Sequence, residues 1–214
     1  MGVWAAFFAA LMLVVPEWAE PPYDRQAFME GANVAPLLPA DGSLTRLVRR
    51  TGKKRRDAEV LKKAIVKFSL EYNKKLKRQE SKGIAEALLE ESERLGVDPL
   101  LVASLIALES SFIPTAVSSA GAVGLGQLKV GTAAELGVTD RFNPVQNVYG
   151  TVRYLAKHLA RWKDSPEQVE RALASYRLGP TLIVKRNGIP DVGDLKRYVQ
   201  IVSVNYARIL KLAQ

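Results

Sequence analysis

The sequence predicts a mainly α-helical protein, and three observations lead there. Apolar residues recur with a 3.6-residue period from Asp57 onward, and no stretch alternates in the manner of a half-buried strand. Helix-boundary residues also punctuate the periodic stretches. At 214 residues the chain is long enough for one substantial core with an extra N-terminal element, and it contains no internal repeat.

The elements follow in order. Val3 to Val15 form an apolar run of 13 residues bounded by Pro16 and by Pro21-Pro22. That is short for a bilayer span but suits the core of a signal peptide. Two features depart from the usual pattern: no Lys or Arg precedes the run, and Glu17 lies at the −3 position for cleavage after Ala19. Residues 1–19 are read as a signal peptide or anchor rather than a buried N-terminal helix, which implies export to the periplasm or cell envelope. Residues 20–45, Pro- and Ala-rich and weakly patterned, read as a linker.

Residues 46–82 form a basic helical segment. They hold 15 Lys and Arg against Asp57, Glu59, Glu71 and Glu80, whereas the remainder carries 16 basic and 18 acidic residues. The whole basic excess therefore lies in one segment. From Asp57 an amphipathic helix is expected, with Leu61, Ile65, Phe68, Tyr72 and Leu76 on one face and lysines on the other. The charge has three readings: a solvated face on a packing helix, a surface for anionic membrane lipid or cell-wall polymer, or a nucleic-acid site. An exported chain rarely meets nucleic acid, so no nucleic-acid partner is expected.

Ile84 to Leu95 makes the next helix, closed by Gly96. Asp98-Pro99 opens another, with Asp98 as N-cap and Pro99 at the first helical position. Glu109 lies about three turns into it, after the apolar run Leu100 to Leu108. Residues 113–127 are rich in Gly, Ser and Ala and read as a loop closely approaching a ligand. Further helices are expected near 128–137, 145–162, 166–176 and 194–212.

Glu109 is the residue with the clearest chemical promise. A carboxyl group at the end of a buried helix is desolvated, which raises its pKa and suits it to hold a proton as a general acid. Capping or ion pairing at a helix end is the plainer role for such a residue, and the flanking motif tells against it. Cysteine is absent, so disulfides, thiol catalysis, thiolate metal sites and a lipidated-cysteine anchor are excluded. His158 is the only histidine and neighbours the apolar Leu155, Leu159 and Trp162, as a bystander would. No phosphate-binding glycine loop is present. No metal and no cofactor is expected.

Glu109-Ser110-Ser111-Phe112, followed by Ala116, Ser118, Gly121, Ala122, Gly124, Leu125, Gln127, Thr132 and Ala133 in register, resembles the soluble, goose-lysozyme-like (SLT) lytic transglycosylases. Asn143-Pro144 with Asn147, Gly150, Tyr154 and Leu155 is similar to that family's next motif. Ala174 to Pro180 resembles a third, and Tyr198-Val199 with Tyr206 the closing helix. The ordered set spans residues 84–210. It departs from the family pattern at Gly126, where Met is usual, and at Arg177, where Asn is usual. The first removes a side chain expected to line the sugar groove, and the second puts a cation beside Tyr176.

The resemblance implies a lysozyme-like helical domain over residues 83–214 and peptidoglycan as substrate. The implied reaction cleaves the β-1,4 MurNAc-GlcNAc bond and leaves 1,6-anhydro-MurNAc ends. Glycosidic cleavage commonly uses two carboxylates roughly 5 to 9.5 Å apart. The nearest second acid, Asp140, lies in what reads as a solvated turn. The family's route needs only Glu109, with the substrate's N-acetyl group assisting and its 6-hydroxyl closing the anhydro ring. Tyr176 is the second catalytic candidate, orienting Glu109 or the acetamido group, against a plainer reading as a core tyrosine. Ser110, Ser118, Gly124, Leu125, Gln127 and Tyr198 complete the expected substrate-binding set, with Gly121 and Gly124 allowing close backbone approach. The rival functions are a lysozyme-type hydrolase on the same fold and a cell-wall-binding scaffold with little turnover.

Overall fold

A computed structural model describes residues 43–52, 57–186, 189 and 193–214. The expected signal peptide and nearly all of the expected linker lie outside them. Nine helices are described: α1 (Leu44–Gly52), α2 (Ala58–Tyr72), α3 (Arg78–Leu95), α4 (Pro99–Ser110), α5 (Val130–Glu135), α6 (Pro144–Arg161), α7 (Gln168–Leu178), α8 (Pro180–Lys185) and α9 (Gly193–Leu212). Among the described residues, β-type pairing is confined to isolated bridges, Val117 with Val123 and Val123 with Leu128.

The architecture is organised around α4. Every residue from Leu100 to Ala107 is buried, so this helix is apolar on all sides and needs neighbours all round. Those neighbours are α9, α2, α3 and α6. Its start is held as the sequence predicts, with Asp98 accepting from the Leu100 N–H at 2.8 Å and Pro99 in the first turn. The other oxygen of Asp98 accepts from the Tyr206 hydroxyl at 2.6 Å, and that hydroxyl also meets Thr51 Oγ1 at 2.6 Å. One carboxylate thus ties α1 and α9 to the first turn of α4.

The core does not divide at the expected boundary between residues 82 and 83. Leu44 and Leu47 of α1 and Ile65, Phe68 and Tyr72 of α2 belong to one buried cluster with Leu100, Leu105 and Tyr206. Tyr72 donates to Asn205 Oδ1, and Asn205 Nδ2 donates to the Ser104 carbonyl at 3.3 Å, a buried polar relay from α2 through α9 to α4. Ser43 to Thr45, expected as linker, instead open α1, whose Thr45 side chain is bonded to Glu170 and accepts from the Val169 N–H at 2.8 Å. The cause is plain in hindsight: Leu44, Leu47 and Val48 form an i, i+3, i+4 stripe hidden among arginines.

The α2 stripe is as expected, from Leu61 to Leu76. Helix α3 begins at Arg78, six residues before the expected start at Ile84. Its first turn is polar, and Glu80 accepts from the Lys77 N–H at 3.0 Å to close it. Glu91, buried on α3, accepts from Arg153 Nε of α6 at 2.6 Å and from Arg94, and these guanidinium partners hold its carboxyl below the usual range.

Phe68 is fully buried and packs edge-on against Phe112, with 6.1 Å between ring centroids. Phe68→Ala should therefore cost about 3–5 kcal/mol of unfolding free energy. Chemical denaturation of the full chain checks this, and a loss below 1 kcal/mol would restore residues 46–82 to the status of an appended segment.

Candidate active site

Helix α4 runs its last turn into the site. Glu109 is buried, keeping 8% exposure, and Tyr176 and Tyr198 keep 8% and 6%, so all three sit just beneath the surface. The chain then turns sharply. Ser111 and Phe112 both take left-handed backbone angles (φ 51° and 57°), as does Gln127 (φ 52°). Three non-glycine residues in this sparsely populated region, all in the loop that follows Glu109, store strain that the surrounding packing must hold.

Desolvation dominates at Glu109 and pushes its carboxyl above the ordinary range; the Tyr198 hydroxyl and the Arg177 charge pull in the opposite direction. The Tyr198 hydroxyl donates to Glu109 Oε1. That leaves Oε2 as the oxygen on which a transferable proton can sit. Burial, followed by the Glu109 charge, keeps the Tyr198 and Tyr176 hydroxyls well above their usual pKa, so both remain donors. The Arg177 guanidinium lies 5.4 Å from the centre of the Tyr198 ring, in cation–π range.

The hydroxyl on Glu109 is that of Tyr198, expected to bind substrate, and not that of Tyr176. Tyr176 donates to the Gly126 carbonyl at 2.6 Å, and Tyr198, on α9, bonds the acid. Tyr176 instead ties α7 to the 116–128 loop beside Glu109.

That loop is fixed by Asn147 of α6. Asn147 Oδ1 accepts from the Gly126 N–H at 2.8 Å, while its Nδ2 donates to the carbonyls of Val123 (2.9 Å) and Arg141 (2.7 Å). A Cβ at Gly124 (φ 79°) would lie 2.2 Å from Asn147 Nδ2, so glycine is required there by both angle and space. Arg141 Nη1 donates to the carbonyls of Gly121 and Leu128 at 2.9 and 3.1 Å. The functional part of Asn147, missed as a site builder, was visible only as one position of a recognised motif.

The remaining expected site residues divide. Gln127 is half-buried. Its Nε2 donates to the carbonyls of Ala116 (3.2 Å) and Gly124 (2.9 Å), while its Oε1 is buried without a hydrogen-bond partner among the described residues. Ser118 is half-buried and closes its own turn, its Oγ accepting from the Ala122 N–H at 3.0 Å. Ser110 is fully buried and donates to the Ile106 carbonyl at 3.2 Å, because a hydroxyl in the last turn of a buried helix back-bonds to that helix. Leu125 is likewise a core side chain with no exposure. Asp140 is an exposed turn residue whose Oδ1 accepts from the Phe142 N–H at 2.9 Å.

Gly126 corrects the groove expectation. A Cβ there would point at α6, 1.8 Å from Thr151 Oγ1 and 2.8 Å from its Cβ. The position faces a packed helix, so no groove-lining side chain is missing and a larger residue has nowhere to go.

The mainly helical fold is the one the sequence resemblance implies. Residues 86–192, half of the chain, match the Transglycosylase SLT domain family, and the chain belongs to that family. The transglycosylase of Enterobacteria phage PRD1 is 42% identical over 88 residues, 41% of this chain and 32% of the phage protein. Membrane-bound lytic murein transglycosylase F of Desulfosudis oleivorans is 45% identical over 91 residues, 41% of this chain and 20% of that protein. The chain thus matches a third or less of the length of these curated relatives. Among solved structures, the lytic transglycosylase Slt of Pseudomonas aeruginosa aligns over 90% of this chain and 37% of its own, at 17% identity and a TM-score of 0.46.

Gly126→Met should lower unfolding stability by about 1–3 kcal/mol or more through overpacking against Thr151. A thermal melt beside wild type measures it; an unchanged midpoint would mean that the 126–151 contact gives way freely.

Proposed function

We propose that this chain is a peptidoglycan lytic transglycosylase that cleaves the MurNAc-GlcNAc bond and leaves 1,6-anhydro-MurNAc ends. The observation that carries the reading is Glu109, a desolvated carboxyl group with a raised pKa, bonded by Tyr198 in a chain of the SLT family. The relatives named as lytic murein transglycosylases support the same substrate.

In the proposed reaction the proton of Glu109 passes to the glycosidic oxygen as the bond from C1 to that oxygen breaks. The N-acetyl carbonyl of the same MurNAc shares the positive charge left at C1. The 6-hydroxyl oxygen then bonds to C1, and its proton returns to Glu109, which ends the cycle protonated and ready. Tyr198 holds Oε1 throughout and directs the transfer to Oε2. General acid-base help of this kind is worth roughly 10² to 10⁴ in rate.

The setting we propose is the cell envelope. The apolar run Val3–Val15 supports export, and relatives are named membrane-bound. Among the described residues no helix is long and apolar enough to cross a membrane. The charge of residues 46–82 supports attachment to an anionic polymer or surface of that compartment.

Glu109→Gln should abolish release of anhydro-muropeptides from purified sacculi while leaving the fold intact, as mass analysis of the products would record. Retention of activity within a few-fold removes Glu109 from the mechanism, and products with reducing ends make the chain a hydrolase. Arg177→Gln removes a charge that lowers the Glu109 pKa, so the acid should stay protonated further up the scale. The alkaline limb of the kcat profile should move to higher pH in this variant and stay in place in Arg177→Lys.

A further inference from the structure

Between the buried stripe of α2 and the start of α3 the chain makes a short turn crowded with cations. Lys74, Lys75, Lys77, Arg78 and Lys82 are all exposed, and none forms an ion pair among the described residues. The nearby acids are occupied: Glu71 pairs with Arg208 at 2.8 Å, and Glu80 closes the first turn of α3. Lys77 and Arg78 stand at the N-terminal end of α3, where positive charge opposes the helix dipole. These cations therefore do little for the fold.

The turn is also attached to the site. Asn73, the C-cap of α2, donates from Nδ2 to the Phe112 carbonyl at 2.9 Å, and its Oδ1 accepts from the Lys75 N–H at 2.9 Å. One side chain fixes both the basic turn and the strained backbone three residues beyond Glu109. Three residues of chain reach no more than about 11 Å, so the turn is tied to backbone that lies within that reach of Glu109.

Building on the transglycosylase reading, we propose that the turn from Lys74 to Arg78, with Lys82, is a docking surface for the carboxylates of the peptide stems carried by a peptidoglycan strand. Lysine suits the task. Its ammonium is a point charge on a flexible stem and meets carboxylates whose positions vary along a strand, with no fixed planar geometry required. The backbone under it is held in place by Asn73, so the charges are presented together.

The test uses the full chain carrying Lys74→Gln, Lys75→Gln and Lys77→Gln, all exposed positions at which the melting midpoint should not change. Two substrates are compared: glycan strands with their peptide stems, and the same strands stripped of stems by an amidase, which leaves each MurNAc only its lactyl carboxylate. At about 0.05 M salt, where screening is weak, wild type should show a KM several-fold lower for stem-bearing strands, and the triple variant should lose that preference. The kcat on stripped strands should be the same for both proteins. Co-sedimentation with the same strands, in a Glu109→Gln background, reads docking without turnover. If wild type cleaves neither substrate, the transglycosylase reading fails, while sedimentation still decides the docking surface. A triple variant that keeps the preference for stem-bearing strands overturns the proposal. So does one that binds strands normally but no longer floats with anionic phospholipid vesicles, because the turn would then be a membrane face.

Discussion

Complete burial of α4 is the constraint on which the rest of the structure depends. A helix with no polar side can be stable only if other helices surround it, and α2, α3, α6 and α9 do so. The same enclosure determines where its ends emerge. Asp98 at the first turn is satisfied by Leu100, Tyr206 and the elements they bring with them. Glu109 at the last turn is given no cation in direct contact, only a phenol, and so is left with a carboxyl group that resists ionisation. Stability at one end and chemistry at the other are consequences of one packing arrangement.

The loop beyond Glu109 depends on that arrangement in turn. Its backbone carries left-handed angles at Ser111, Phe112 and Gln127, which an unsupported chain would abandon. Support comes from separate directions: Asn73 holds the Phe112 carbonyl, Asn147 holds the Val123 to Gly126 stretch, and Tyr176 holds the Gly126 carbonyl. Buried amides and phenols carry the shape that glycine and serine alone could not hold.

Much of this was legible in the sequence. The α2 stripe, the Asp98-Pro99 cap and Glu109 at a buried helix end all follow from periodicity and local chemistry. The start of α1 was not legible, because a two-leucine stripe among arginines is too short to separate from a linker. Nor was the first turn of α3, whose polar residues lack an apolar period. At the site, sequence order brought Glu109, Tyr176 and Tyr198 into one neighbourhood but not their partners. Whether Tyr176 or Tyr198 meets Glu109 depends on how α7 and α9 cross, and the direction of the Gly126 Cβ depends on how close α6 lies. Both are tertiary distances that no motif encodes. Ser110 and Leu125 failed for the same reason, since a motif position does not say which way a side chain points.

His158 adds a limit of another kind. It is buried against Tyr154, with ring centroids 4.4 Å apart, and Tyr154 in turn stacks on Tyr176 at 4.9 Å. Neither ring nitrogen has a hydrogen-bond partner among the described residues. Burial, aided by Lys157 and Arg161, lowers its pKa to about 4 from an ordinary 6.5. The neutral ring therefore contributes its full stability above 6.5, and that contribution drains away as the pH falls through 4. An unfolding chain takes up a proton there, one aromatic ring removed from Tyr176. The proposed acid fails from the opposite side, when Glu109 loses its proton in alkali. Under the proposed mechanism two buried groups thus face opposite ends of the pH scale, one that must stay neutral by keeping its proton and one that must stay neutral by refusing it.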